Sequence, residues 1–128
     1  MNLQGERLIA ATPEATWAAL NDPETLKACI AGCETLERVS DEEFLATMAM
    51  RIGPVNARFK GRLKLENVVP PRSYTIAFDG QGGVAGFGKG SADVSLAPEA
   101  TGTRLTYAAT AQVGGKLAQV GSRLVEGA

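Results

Sequence analysis

Histidine is absent from the 128-residue chain. With it go the commonest general base, the commonest metal ligand and every histidine-containing catalytic triad. Two cysteines without histidine cannot build an ordinary zinc site. An excess of either charge is also lacking: 13 Lys+Arg stand against 14 Asp+Glu, a formal net charge of -1. That balance excludes the basic footprint of a nucleic-acid binder and the acidic run of a solvating tail. No apolar run approaches the roughly 20 residues of a membrane-spanning helix. Met1 to Arg7 has neither the basic start nor the apolar stretch of a signal peptide. The sequence therefore predicts a cytoplasmic protein without the usual residues of hydrolytic or metal catalysis, and the length fits one domain, 1–128.

What is present is strand alternation, punctuated by Gly and Pro. Leu3, Gly5, Arg7 and Ile9 share one strand face, and Gln4, Glu6 and Leu8 the other. Thr12-Pro13-Glu14 then starts a helix, with Thr12 as cap, Pro13 at the first helical position and Glu14 complementing the dipole. Trp17 and Leu20 lie on one side of it. Asn21-Asp22-Pro23 restarts the chain as a second short helix, with Asp22 as cap, Leu26 and Ile30 inward and Gly32 as the stop. From Cys33 the period becomes two. Phe44, Ala46, Met48, Met50 and Ile52 face one way, and Gly53-Pro54 turns the chain. Ala57, Phe59, Gly61, Leu63 and Leu65 then alternate with Arg58, Lys60, Arg62 and Lys64, apolar inside and basic outside. Pro70-Pro71 ends that strand. Further strands carry Tyr74, Ile76 and Phe78, then Ala92, Val94 and Leu96, then Thr103 to Val113. Lys116 to Ala128 returns to helical spacing, with Leu117, Val120, Gly121, Leu124 and Val125 on one stripe. The predicted architecture is α+β: a curved antiparallel sheet of about seven strands gripping a C-terminal helix, with two short helices after the first strand.

The inward side chains are small: Ala46, Gly61, Ala92, Ala109 and Ala111, joined by Met48 and Met50. A curved sheet lined this way either leaves an apolar pocket or lets the helix sit close, and the pattern allows both. The segment from Gly80 to Gly90 holds six glycines in eleven residues. It falls short of a phosphate-binding loop, because Gly90 stands where Ser or Thr must follow Lys89 and Ser91 to Leu96 alternates as a strand. It reads as a flexible hairpin bearing Phe87 at its tip, either a gate or partner contact or an aromatic folded back on the core. Cys29 and Cys33 lack the two-residue redox spacing and read as reduced, buried small hydrophobes. The basic stripe is a solvated face or a docking site for an acidic partner or membrane headgroups. The acidic cluster Glu34, Glu37, Asp41, Glu42 and Glu43 reads as a solvated hairpin. No carboxylate pair falls on an apolar face, so acid–base catalysis lacks candidates.

Local wording carries a family resemblance. Leu20-Asn21-Asp22-Pro23-Glu24, Leu26-Lys27-Ala28-Cys29-Ile30 and Gly32-Cys33-Glu34 resemble the CoxG family of carbon monoxide dehydrogenase accessory proteins. So do Ile52-Gly53-Pro54-Val55, Pro70-Pro71-Arg72-Ser73-Tyr74, Gly86-Phe87-Gly88-Lys89-Gly90 and Val113 to Gln119, in order along most of the chain. Ala31 departs from the proline common there. The resemblance implies a START-like (birch-pollen-allergen-type) helix-grip fold with an internal cavity. It also implies an accessory protein to a molybdenum-containing hydroxylase of the carbon monoxide dehydrogenase type, concerned with membrane recruitment or respiratory coupling. Family members often continue into a C-terminal tail that helps attach to membrane; none is seen here, so the last helix reads as cut short or the tail as absent.

The leading expectation is thus a non-enzyme that holds a lipophilic ligand, such as a respiratory quinone or lipid, and docks on the hydroxylase, with peripheral contact to the inner face of the membrane. It needs no cofactor or metal of its own. Aromatic wall candidates are Trp17, Phe59, Tyr74, Phe78, Phe87 and Tyr107, for stacking on a ring and, from the two tyrosines, for hydrogen bonding to a carbonyl. Aliphatic and thioether candidates are Leu26, Ile30, Met48, Met50, Leu117 and Leu124. Partner contacts fall to Arg58, Lys60, Phe87 and Lys89. A protein–protein adaptor with a vestigial cavity is the alternative, and a START-like enzyme a third, since fold does not fix function.

Overall fold

The computed structural model describes residues 2–30, 32–52, 55–83 and 86–115, with the side chains of residues 50, 52 and 55–57 outside that description. The order is β1 (Asn2–Ile9), α1 (Pro13–Leu20), α2 (Pro23–Cys29), β2 (Cys33–Ser40), β3 (Glu43–Ile52), β4 (Val55–Val69), β5 (Ser73–Gln81), β6 (Phe87–Glu99) and β7 (Gly102–Gly114). The strands form one antiparallel sheet in the order β1-β7-β6-β5-β4-β3-β2. Sequence neighbours pair along β2 to β7, and β1 closes against β7. The expected helix over 116–128 lies outside the described residues.

Local chemistry sets the helix starts. The Thr12 side chain accepts a hydrogen bond from the Ala15 amide, and Pro13 occupies the first turn. Asp22 stands at the cap of α2, yet its carboxylate accepts from the Thr25 hydroxyl at 2.6 Å rather than from the backbone. That hydrogen bond holds the Asp22 carboxyl below its usual range. Gly32, at φ 77°, takes the left-handed turn out of α2, and its carbonyl accepts from the Ala49 amide.

Register then sorts the side chains onto two faces, because directly opposed residues share a face. The core face carries Leu36, Phe44, Ala46, Leu65, Tyr74 and Val94 as a buried cluster, with Trp17, Leu20 and Leu26 of the helices packed against it. Phe44, only 1% exposed, lies beneath the guanidinium of Arg38 at 4.6 Å. Thr103, fully buried, donates to the Ala11 carbonyl and fastens the entry of α1 to β7. The outer face carries the basic stripe. Arg58 pairs with Glu34 and Arg62 with Glu43, so two of the acidic-cluster residues neutralise two of its cations.

Two local expectations change. The glycine-rich segment is largely strand: β5 runs to Gln81 and β6 begins at Phe87, with Gly80 opposite Gly88 and Phe78 opposite Gly90. Ladder hydrogen bonds to neighbours on both sides override the weak strand propensity of glycine. Cys29 is exposed and Cys33 half-buried, both free, because the short α2 turns Cys29 away from the sheet.

Candidate ligand-binding face

The core face is ordered in rows that cross the sheet. One row reads Gly5, Tyr107, Val94, Tyr74 from β1 to β5. The next is Leu3, Ala109, Ala92, Ile76, Leu65, followed by Ala111, Gly90, Phe78, Leu63, Phe44. Beyond these runs a row of small residues, Gly88, Gly80, Gly61 and Ala46, between Val113 on β7 and Leu36 on β2. Among the described residues, a Cβ added at Gly80 meets only the Gly88 carbonyl oxygen at 3.8 Å, and one at Gly88 only Val113 and the Gln112 carbonyl at 3.8 and 4.0 Å. One at Gly61 meets backbone alone, no nearer than 3.4 Å. Among the described residues, Val113 of β7 is the one side chain within 4 Å of a Cβ at those three positions.

The aromatic row has the opposite character. Trp17 meets Tyr74 edge-on, with ring centroids 5.3 Å apart and planes at 90°. Burial pushes the Tyr74 phenol above its ordinary pKa, because the phenolate would lose its hydration. Tyr107 lies across β1: a Cβ at Gly5 would approach its hydroxyl to 2.8 Å. This face therefore offers aromatic surface, two phenol donors and a strip of unfilled width. No carboxylate points to it from the described strands, since every Asp and Glu there occupies an outer-facing, bulge or turn position.

The sequence-predicted residues divide accordingly. Trp17, Leu26, Tyr74 and Tyr107 meet at the helix-covered end of the core face. Phe59 is buried beside Met48, its register partner, at the far side of the glycine row, and Phe78 is half-buried in the row adjoining it on the near side. Ile30 is half-buried at the end of α2. The Met50 side chain, Leu117 and Leu124 lie outside the described residues. Phe87 stands on the outer face, away from Tyr74, with its ring laid over Gly114; a Cβ there would come to 2.1 Å of the ring. It is no part of the core-face wall. Alternation from Leu96 back to Phe87 would have indicated this side, had the glycines not masked the strand.

On the outer face, register sets Lys60, Gln81 and Phe87 in one row and Arg62, Asp79 and Lys89 in the next. Arg58 lies on the same face, already paired with Glu34. Lys60 and Lys89 have no ion-pair partner among the described residues. Two shallow depressions of about 540 and 470 Å³ flank this region and share Asp79. Among the described residues no cluster of three metal-ligating side chains occurs, and no helix is long and apolar enough to cross a membrane.

Comparison with known proteins gives one family. The profile described as the G subunit of carbon monoxide dehydrogenase (CoxG) matches residues 5–128. A conserved protein from Geobacillus kaustophilus, known from its crystal structure, is 32% identical with a TM-score of 0.90, covering 99% of this chain and 84% of that one. An uncharacterized protein from Rhizobium leguminosarum (18% identity, TM-score 0.71, 98% of this chain and 85% of that one) shares the fold. So does a protein from Thermus thermophilus (19%, 0.65, 99% and 88%). No curated protein matches.

Proposed function

The chain belongs to the CoxG family of carbon monoxide dehydrogenase, and from that premise we propose that it is a non-catalytic accessory protein that holds a lipophilic ligand on its core face. Its partner is a molybdenum-containing hydroxylase of the carbon monoxide dehydrogenase type. The observation that carries the reading is the row of Gly61, Gly80 and Gly88, flanked by Phe78 in the adjoining row and by Phe59 on its far side. Small residues leave width for a flat ring or a chain, and aromatic neighbours supply stacking surface. A respiratory quinone fits this chemistry: it is too apolar to travel free, and it accepts electrons of the kind such a hydroxylase releases. The protein works in the cytoplasm, at or near the inner face of the membrane.

The test is native mass spectrometry with solvent extraction, on protein expressed together with its neighbouring dehydrogenase. A stoichiometric quinone or lipid supports the carrier reading; an empty protein bound to the dehydrogenase overturns it. One observation favours an adaptor role besides: Lys60, Phe87 and Lys89 share the outer face with Arg58. If the protein is an adaptor alone, Arg58→Glu with Lys60→Glu abolishes capture of the dehydrogenase, while filling the glycine row leaves it intact.

A further inference from the structure

Only two charged side chains face the core side of the described strands, one from each margin of the sheet: Arg7 on β1, opposite Leu105, and Arg38 on β2, opposite Phe44. They differ in how they are used. Arg38 is fully committed, donating to the backbone carbonyls of Asn21 and Asp41 and covering the Phe44 ring. It ties the junction of the two helices to the turn between β2 and β3. Arg7 donates only to the carbonyl of its own neighbour Glu6, at 2.9 Å, and has no carboxylate partner among the described residues.

Beside Arg7 stands a second donor without a hydrogen-bond partner among those residues. Gly5 precedes Arg7 by two positions on the same face, and its missing side chain is what lets Tyr107 lie across β1 with its hydroxyl at the margin. Strand rise separates Gly5 and Arg7 by about 7 Å, within the span of an arginine side chain. From that margin the small, half-buried residues Ala109 and Ala92 lead along the same face toward Gly88 and Gly80. The arrangement is a polar end on an apolar track.

We infer that Arg7 and Tyr107 form a head-group clamp for an amphiphile whose polar end presents acceptor oxygens, with its body over Ala109 and Ala92 toward the glycine row. This rests on the reading that the core face holds a lipophilic ligand, and adds which end of the ligand lies where. A guanidinium offers a planar pair of donors that matches a carboxylate, and the phenol donates to a carboxylate or a neutral carbonyl alike. Acceptor oxygens therefore come from two sources, a fatty-acid-type carboxylate or a quinone-type carbonyl.

The experiment titrates three probes into the wild-type protein: dodecanoate, a decyl-substituted benzoquinone, and decylbenzene, which has no oxygen. Binding is followed through Trp17, the chain's one tryptophan, and by calorimetry, with unfolding midpoints as the check on folding. The clamp predicts that the oxygen-headed probe bound best exceeds decylbenzene, that Arg7→Gln weakens dodecanoate by about tenfold or more, and that Tyr107→Phe weakens whichever oxygen head is bound. Decylbenzene affinity stays unchanged in both. Selective loss of dodecanoate assigns the carboxylate source, and selective loss of the quinone in Tyr107→Phe assigns the carbonyl. Equal binding of all three probes, untouched by either substitution, overturns the clamp and leaves the lipophilic face standing. Failure of the wild type to bind any of the three overturns both.

Discussion

The two ends of the core face are built on the same strands and have opposite characters. At the helix-covered end, Leu36, Phe44, Leu65, Tyr74 and Val94 are buried together, and Trp17 and Leu26 fill the space above them. A few residues along the same strands, Gly61, Gly80 and Gly88 stand side by side, and among the described residues only the Val113 side chain comes within 4 Å of a Cβ there. The backbone ladder is continuous through both ends, so hydrogen bonding does not distinguish them. Side-chain volume does. One sheet can thus provide a close-packed anchor and, among the described residues, an uncovered recess, because register lines up Gly61, Gly80 and Gly88 in one row and Tyr74, Val94 and Leu65 in others. The outer face, by contrast, carries paired charges that sit in water and contribute little stability.

The packed end is most sensitive at Phe44. Replacing it by alanine should cost about 3–5 kcal/mol, read from denaturant unfolding, since the cavity would open under Arg38 in the tightest part of the core. Next in size is a contrast between two glycines. Gly90→Ala should destabilise by about 1–3 kcal/mol, because its Cβ would lie 2.0 Å from the Thr110 carbonyl oxygen. Gly80→Ala, with 3.8 Å of clearance, should leave the midpoint within about 1 kcal/mol of wild type. Equal losses at the two sites would show that the row of small residues is packed after all.

The triple variant with alanine at Gly61, Gly80 and Gly88 sharpens the difference in function. It should fold normally yet bind lipophilic probes at least about fivefold more weakly, and unchanged affinity would place the ligand elsewhere. The smallest effect concerns pH. Burial raises the Tyr74 pKa in the folded state, so the folded protein resists ionisation that the unfolded chain allows. The stability this represents is fully present below the ordinary tyrosine value near 10 and declines as pH rises through it. Thermal melts from pH 8 to 11 should fall less steeply in Tyr74→Phe than in wild type.

Much of this was legible in the residues. Alternation located every strand face that it covered cleanly: the stripe Arg58 to Lys64 lies outside, and Phe59, Gly61, Leu63 and Leu65 lie on the core side. Thr12 and Pro13 marked the first helix start because capping is a local interaction. Phe87 was harder to place, since glycine contributes no alternation and the surrounding residues read as a loop. Arg7 was visible on the same face as Gly5, but its significance depends on Tyr107, a hundred positions away. Cys29 looked buried because a seven-residue helix gives too few positions to fix its orientation.

The sequence by itself determined the order of elements from β1 to β7, the in–out pattern where alternation is clean, the family and the lack of histidine. Each of these depends on composition or on neighbours within a few residues. Only the tertiary structure decided that Gly61, Gly80 and Gly88 form a single row, that Phe87 rests on Gly114, and that Tyr107 reaches the margin over Gly5 beside Arg7. The reason is that inter-strand register is a long-range property. It is fixed by turns and bulges spread along the chain, and a shift of one residue would send each of these side chains to the other face.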